Sequence, residues 1–181
     1  LVAARADQFH TPRRFGIEVA AAAINRFGHM SCLKLALLGC GSRGRTYARI
    51  AAAMPERYQL VAVADRDEAK TATLAKLREP GEIPVFDSDE AFFAHGKIAD
   101  VLLICTQDAD HYGHAMKALE VGYDILLEKP ASETLERCED LDRKAKQLGR
   151  RIMLCFVLRY TPFYRAVREF IDSGRLGRVM S

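Results

Sequence analysis

Three groups of residues in this chain combine type and spacing in a way that could do chemistry. The first is a turn, Gly39-Cys40-Gly41-Ser42-Arg43-Gly44. Glycines leave backbone N–H groups bare, and bare N–H groups at the start of a helix attract an anion such as a phosphate. The second is Asp65, which closes the apolar run Leu60-Val61-Ala62-Val63-Ala64. It stands about twenty residues beyond the turn, where a carboxylate accepts hydrogen bonds from a pair of hydroxyls. The third is Glu128-Lys129-Pro130, which follows the apolar run Tyr123-Asp124-Ile125-Leu126-Leu127. Pro130 biases the backbone of Lys129 away from helix. A lysine fixed there donates to a substrate oxygen and, with a lowered pKa, exchanges a proton. A surface turn carrying a common charge pair explains the same tripeptide, and spacing alone leaves these two readings level.

The elements around these groups decide what they mean. Leu33-Lys34-Leu35-Ala36-Leu37-Leu38 reads as a buried strand leading into the glycine turn, and Tyr47, Ile50, Ala51 and Met54 recur at helical spacing after it. Strand, glycine turn, helix and an acid at the end of the next strand make up the dinucleotide-binding fingerprint. In that reading Gly39 makes the tight turn, Gly41 lets the backbone approach a pyrophosphate, and Gly44 lets helix pack closely on strand. Ser42 and Arg43 belong to the same phosphate loop. A turn that merely favours glycine would leave the position of Asp65 to coincidence. Asp65 favours NAD, because a carboxylate accepts from both ribose hydroxyls and repels the extra phosphate of NADP. Arg66 and Arg43 could soften that repulsion, so NADP stays open. Arg66 also reads as a solvated charge before a helix that starts near Asp67.

Further along, the pattern predicts a helix from Asp67 to Leu77, a short strand over Pro84-Val85-Phe86, and a helix capped by Asp87 or Ser88 that runs through Phe93. Val101-Leu102-Leu103-Ile104-Cys105 reads as a strand covered on both faces. A helix from Ala109 to Val121 follows, with Tyr112, Ala115, Met116 and Leu119 as its apolar stripe, and Gly122 stops it. Leu135, Cys138, Leu141, Ala145 and Leu148 mark another helix, stopped by Gly149, and Ile152 to Val157 reads as a sixth strand. Thr161-Pro162 opens a last helix whose expected buried face is Phe163, Val167, Phe170 and Ile171. Strands alternating with helices predict an α/β, Rossmann-type doubly wound parallel sheet of order 3-2-1-4-5-6, with a ligand at the switch point beside the first strand. The expected division is a dinucleotide-binding domain over residues 31–158, with a linker helix and the start of a truncated second domain over 159–181. Residues 1–30 are expected to be disordered or loosely helical. Met30 is one candidate start, which makes the earlier residues an extension; a transit peptide is the other reading, against which Asp7 and Glu18 count.

Bulk properties narrow the class. With 181 residues, 49% hydrophobic and 28% charged, the chain reads as globular, and a net charge of +3 gives no argument for nucleic acid. No apolar run approaches the length of a membrane span. The cysteines Cys32, Cys40, Cys105, Cys138 and Cys155 are odd in number and form no C-x-x-C pair, so a reducing compartment, the cytoplasm, is expected. His111 and His114 stand three apart on a helix with no evident third ligand, so no metal is expected.

Together these motifs resemble the Gfo/Idh/MocA family of oxidoreductases, the glucose-fructose oxidoreductase and inositol dehydrogenase group. The resemblance spans about residues 33–180, through the glycine turn, Val61 to Asp65, His111, Gly122 to Pro130, Arg159-Tyr160-Thr161-Pro162 and Gly174-Arg175-Leu176-Gly177. It implies NAD(P)-dependent hydride transfer on a sugar, polyol or related hydroxy compound, with Lys129 as the catalytic lysine and Glu128 near the nicotinamide ribose. Thr106, Gln107 and His111 would lie along the nicotinamide half of the cofactor. The family often has Thr-Pro where this chain has Thr106-Gln107, and a polar residue where Leu158 precedes Arg159. The resemblance also implies a substrate domain beyond Ser181, a homo-oligomer formed largely through it, and little turnover from these residues alone. Two rival expectations remain: a glycoside hydrolase of the same family that uses NAD transiently, and a module that senses NAD without catalysis.

Overall fold

The structure, a computed structural model, describes residues 32–77, 81, 83–178 and 180. The expectations for residues 1–30 lie outside the described residues. Among the described residues, six strands form one parallel sheet in the order β3-β2-β1-β4-β5-β6. They are β1 (Leu33–Leu38), β2 (Tyr58–Ala64), β3 (Val85–Phe86), β4 (Val101–Ile104), β5 (Asp124–Leu127) and β6 (Ile152–Leu154). The helices are α1 (Ser42–Ala53), α2 (Glu68–Ala75), α3 (Asp89–Ala94), α4 (His111–Val121), α5 (Leu135–Leu148) and α6 (Pro162–Asp172). This is the strand order expected of the doubly wound fold.

The two-residue period of the strands builds a core on each face. Leu33, Leu35 and Leu37 pack with Tyr47 and Ile50 of α1 and Leu74 of α2. Ala36, Leu38, Leu102 and Ile104 face the other way, onto Phe92 of α3, Ala115 and Leu119 of α4, and Leu141 of α5. Local chemistry fixes the helix ends. The side chains of Asp67, Ser88, Thr134 and Thr161 accept from backbone N–H groups in the first turns of α2, α3, α5 and α6. Gly122 and Gly149 end α4 and α5 in the left-handed conformation.

Several sequence expectations change. The predicted helix from Ala109 starts as a 3-10 turn over Asp108–Asp110 and becomes α-helical at His111. The sixth strand is only Ile152–Leu154, because β6 lies at the edge with β5 as its one partner, and the chain turns off into a 3-10 turn over Val157–Tyr160. On α5, Leu141 and Ala145 are buried while Leu135, expected in the same stripe, is 75% exposed. The face of α6 formed by Phe163, Val167, Phe170 and Ile171, expected to be buried, is exposed. Its helical spacing is as read, but nothing among the described residues covers it.

Candidate nucleotide-binding site

Gly39 leaves β1 at φ +95°, a region that favours glycine. A side chain there would also meet Cys105 O at 2.5 Å. The turn is held from two sides: the Gly39 amide donates to Ala64 O (2.8 Å) and the Cys40 amide to Asp65 Oδ2 (2.7 Å). Asp65 Oδ1 accepts from the Asp67 amide (2.9 Å), so this carboxylate orders both the glycine turn and the approach to α2. A carboxylate has room for about four hydrogen bonds, which leaves Asp65 capacity for two more. Gly44 packs directly beneath: a Cβ there would stand 2.0 Å from Gly39 O. Gly41 differs, since a Cβ on it would meet nothing within 4 Å.

Gly41 caps α1 without a side chain, and the first turn of α1 carries no acid. The amides there, which no helix satisfies internally, therefore open on free space with the positive end of the helix dipole. A pyrophosphate fits this cradle, as the glycine pattern requires.

One cleft gathers Gly39, Gly41, Asp65, Arg66, Thr106 and Gln107, all expected from sequence. It lies at the carboxyl ends of β1, β2 and β4, the switch point of the sheet. Ser42 and Arg43 are exposed on the first turn of α1, next to Gly41. Glu128 follows β5 and is buried; it accepts a hydrogen bond from the Tyr47 hydroxyl (2.9 Å), and Arg43 Nε lies 3.9 Å from the same Oε1. Glu128 thus ties α1 to the loop after β5. Lys129 comes next and is exposed, with a cis peptide bond to Pro130.

His111 does not face the cleft. It is 1% exposed, with Nδ1 2.6 Å from Pro130 O and Nε2 3.3 Å from Thr106 O. His111 is a buried tie between the loops after β4 and β5.

Sequence reading missed Lys70, Asp89, Asp110 and His114, which also line the cleft. His114 Nδ1 is 3.0 Å from the Thr106 hydroxyl and Nε2 is 3.3 Å from Asp89 Oδ2. The carboxylate can only accept, so Nε2 carries the proton and Nδ1 accepts from Thr106. Burial lowers the His114 pKa, outweighing the opposing pull of Asp89. Burial alone would raise the Asp89 carboxyl, but the hydrogen bond from Lys117 and the nearby positive charges bring it below the usual range. With His114 neutral, Lys117 and Arg66 are the cations that face Asp89 at neutral pH. The one available signal for His114 was its position three residues after His111, on the same face of the helix.

Burial keeps the thiols around the site protonated. Burial, and then the charge of Asp65, push Cys40 up to about 12. Burial likewise pushes Cys155 up to about 12 and raises Cys105 well above the usual range. Thiols so protonated are poor nucleophiles. Among the described residues, no cluster of three or more His, Cys, Asp or Glu could hold a metal, and no helix is long and apolar enough to cross a membrane.

The sheet order, the glycine-only turn and the open amino terminus of α1 define a dinucleotide-binding Rossmann domain. More specifically, the chain belongs to the Gfo/Idh/MocA family: residues 33–156 match the family described as an oxidoreductase family with an NAD-binding Rossmann fold. It is 29% identical to inositol 2-dehydrogenase of Pseudomonas savastanoi pv. phaseolicola over 80% of its own length and 43% of that protein. It is 28% identical to D-glucoside 3-dehydrogenase of Escherichia coli over 82% of its own length and 42% of the relative. The crystal structure of scyllo-inositol dehydrogenase from Lactobacillus casei with bound NAD(H) and scyllo-inositol matches in fold, with a TM-score of 0.71 and 24% identity. That match covers 81% of this chain and 42% of the other. The chain therefore spans less than half the length of these relatives.

Proposed function

We propose that this chain is the cofactor-binding part of an NAD-dependent dehydrogenase that oxidises a hydroxyl of a sugar or polyol, or reduces the corresponding carbonyl. The observation that carries the proposal is the uncapped amino terminus of α1, open over Gly41 and flanked by Asp65 in a single cleft. The names of the relatives, inositol and D-glucoside dehydrogenases, support the substrate class.

Bound NAD supplies the hydride acceptor. The protein's share is positioning and proton handling. Gly39, Gly41 and Gly44 shape the turn, and the amides of Ser42 and Arg43 hold the pyrophosphate. Asp65 accepts from the adenosine ribose hydroxyls, with Arg66 beside it. Thr106 and Gln107 continue the wall toward the reacting end. His111 fixes the Pro130 carbonyl, and Tyr47 fixes Glu128, so Lys129 leaves β5 in a set direction. Lys129 then contacts the substrate oxygen, taking up its proton when the hydroxyl is oxidised and returning it when the carbonyl is reduced. The exposed apolar face of α6 is where the substrate domain docks, which agrees with a match that covers only 43% of the relative's length. A reducing, cytoplasmic setting agrees with five free cysteines.

Titration calorimetry with NAD on this chain tests the cofactor assignment, and saturable one-to-one binding is expected. Absence of binding would remove its basis. For Lys129, the expectation is that Lys129→Ala keeps NAD affinity while turnover, measured in the protein joined to its substrate domain, falls roughly 100- to 10,000-fold. An unchanged rate would move the proton-transfer role elsewhere.

A further inference from the structure

The cleft holds a second carboxylate to which the roles above give no task. Asp89 is the first residue of α3 and is 8% exposed. The Asp65 amide donates to Phe86 O (3.2 Å), which draws the turn between β3 and α3 alongside the end of β2. Asp89 Oδ1 consequently lies 3.6 Å from the guanidinium of Arg66, the residue immediately after Asp65. Its other oxygen is occupied by Lys117 Nζ (3.2 Å) and His114 Nε2 (3.3 Å).

We propose that Asp89 is a specificity residue that disfavours a 2′-phosphorylated cofactor by placing a second negative charge against Arg66. This rests on the cofactor reading above. Asp65 by itself repels a phosphate at the ribose 2′ position, and a neighbouring arginine is the usual means of accommodating one. Here that arginine stands between two carboxylates. Its side chain is 80% exposed, so the pair does not hold it rigidly. The effect is one of charge balance: a phosphate entering the corner meets Asp65 and Asp89 against a guanidinium that Asp89 already faces. Lys70, the other cation of the cleft wall, is engaged by Asp67 at 2.9 Å. Lys117 touches the far oxygen of Asp89 and is not part of the cleft wall. Hydrogen bonds from Lys117 and His114 hold the carboxylate in place, which is why it faces Arg66 from a fixed position.

The test is the affinity of this chain for NAD and NADP, measured by titration calorimetry for the wild type and Asp89→Asn. Asparagine keeps the shape and removes the charge. At an effective dielectric between that of protein and water, one charge several ångströms away changes NADP affinity roughly three- to ten-fold. The expected result is tighter NADP binding by that factor, NAD binding within about two-fold, and loss of the NADP gain when Arg66→Ala is added. Unchanged NADP affinity with NAD binding retained overturns the inference and leaves the cofactor assignment intact. Wild type that binds neither nucleotide overturns both. If Asp89→Asn fails to fold, Lys117→Gln reads the same charge with the opposite sign. That side chain is half-exposed, and its removal leaves Asp89 less compensated, so NADP should weaken while NAD holds; no change overturns the proposal.

Discussion

At the scale of single residues, the glycines of the turn separate folding from binding. Gly44 lies 2.0 Å, as a would-be Cβ, from the carbonyl oxygen of Gly39 and 3.3 Å from Leu37 Cδ1. The first of these neighbours is backbone and cannot step aside without moving the turn. Gly44→Ala should therefore destabilise the fold by about 1–3 kcal/mol or more, the range for overpacking. Gly41 sits at φ −67°, ψ −163°, which any L-residue adopts, with empty space where a Cβ would go. Gly41→Ala should leave stability within about 0.5 kcal/mol of wild type, as surface substitutions do. That methyl would instead occupy room the pyrophosphate needs, so NAD affinity should fall about ten-fold or more. Urea unfolding and NAD titration on the two variants check the contrast. A Gly41→Ala protein that binds NAD normally would mean that the phosphate does not approach this backbone.

At the scale of elements, His114 joins three pieces: it lies on α4, contacts Asp89 on α3, and accepts from Thr106 in the loop after β4. Its pKa is lowered in the fold by burial. Below its unfolded value of about 6.5, the unfolded chain binds a proton that the folded chain resists. The contribution to stability is thus complete above about pH 6.5 and is lost as pH falls toward the folded value. Asp89, lowered in its turn, adds a separate loss at more acid pH. Melting temperatures across pH 5 to 7.5 should drop more for wild type than for His114→Gln; parallel curves would rule out His114 as the titrating group. This network was not legible in the sequence, because it forms only when parallel pairing sets the end of β3 beside β2 and α3 beside α4. What could be read was local. Strand, glycine turn and helix are contiguous, Thr161-Pro162 announces the start of α6, and Gly122 and Gly149 announce the ends of α4 and α5. Spacing told that Phe163, Val167, Phe170 and Ile171 share a face, but no spacing says what covers it. The place of His111 was equally hidden, since its partners Pro130 and Thr106 belong to two different loops.

At the scale of the whole molecule, α6 is the feature out of balance with the rest. Both faces of the sheet are filled, yet Phe163 is 69% exposed and Tyr164, Val167, Phe170 and Ile171 are exposed beside it. Exposed apolar patches of this kind mark interaction surfaces or cause association. Expressed as it stands, the chain should therefore self-associate with rising concentration, giving a mass above its 20.2 kDa in light scattering. Phe163→Glu combined with Val167→Lys should restore the monomer. The same pair should leave NAD affinity unchanged, because neither residue lines the cofactor cleft. In the protein joined to its substrate domain the two substitutions should act in the opposite direction, loosening the docking of that domain and reducing turnover while cofactor binding persists. A wild-type chain that stays monomeric at high concentration, together with normal turnover of the doubly substituted longer protein, would show that this face takes no part in assembly. Nucleotide binding at the Gly41 turn and the domain docking proposed for α6 are in this way separable by mutation.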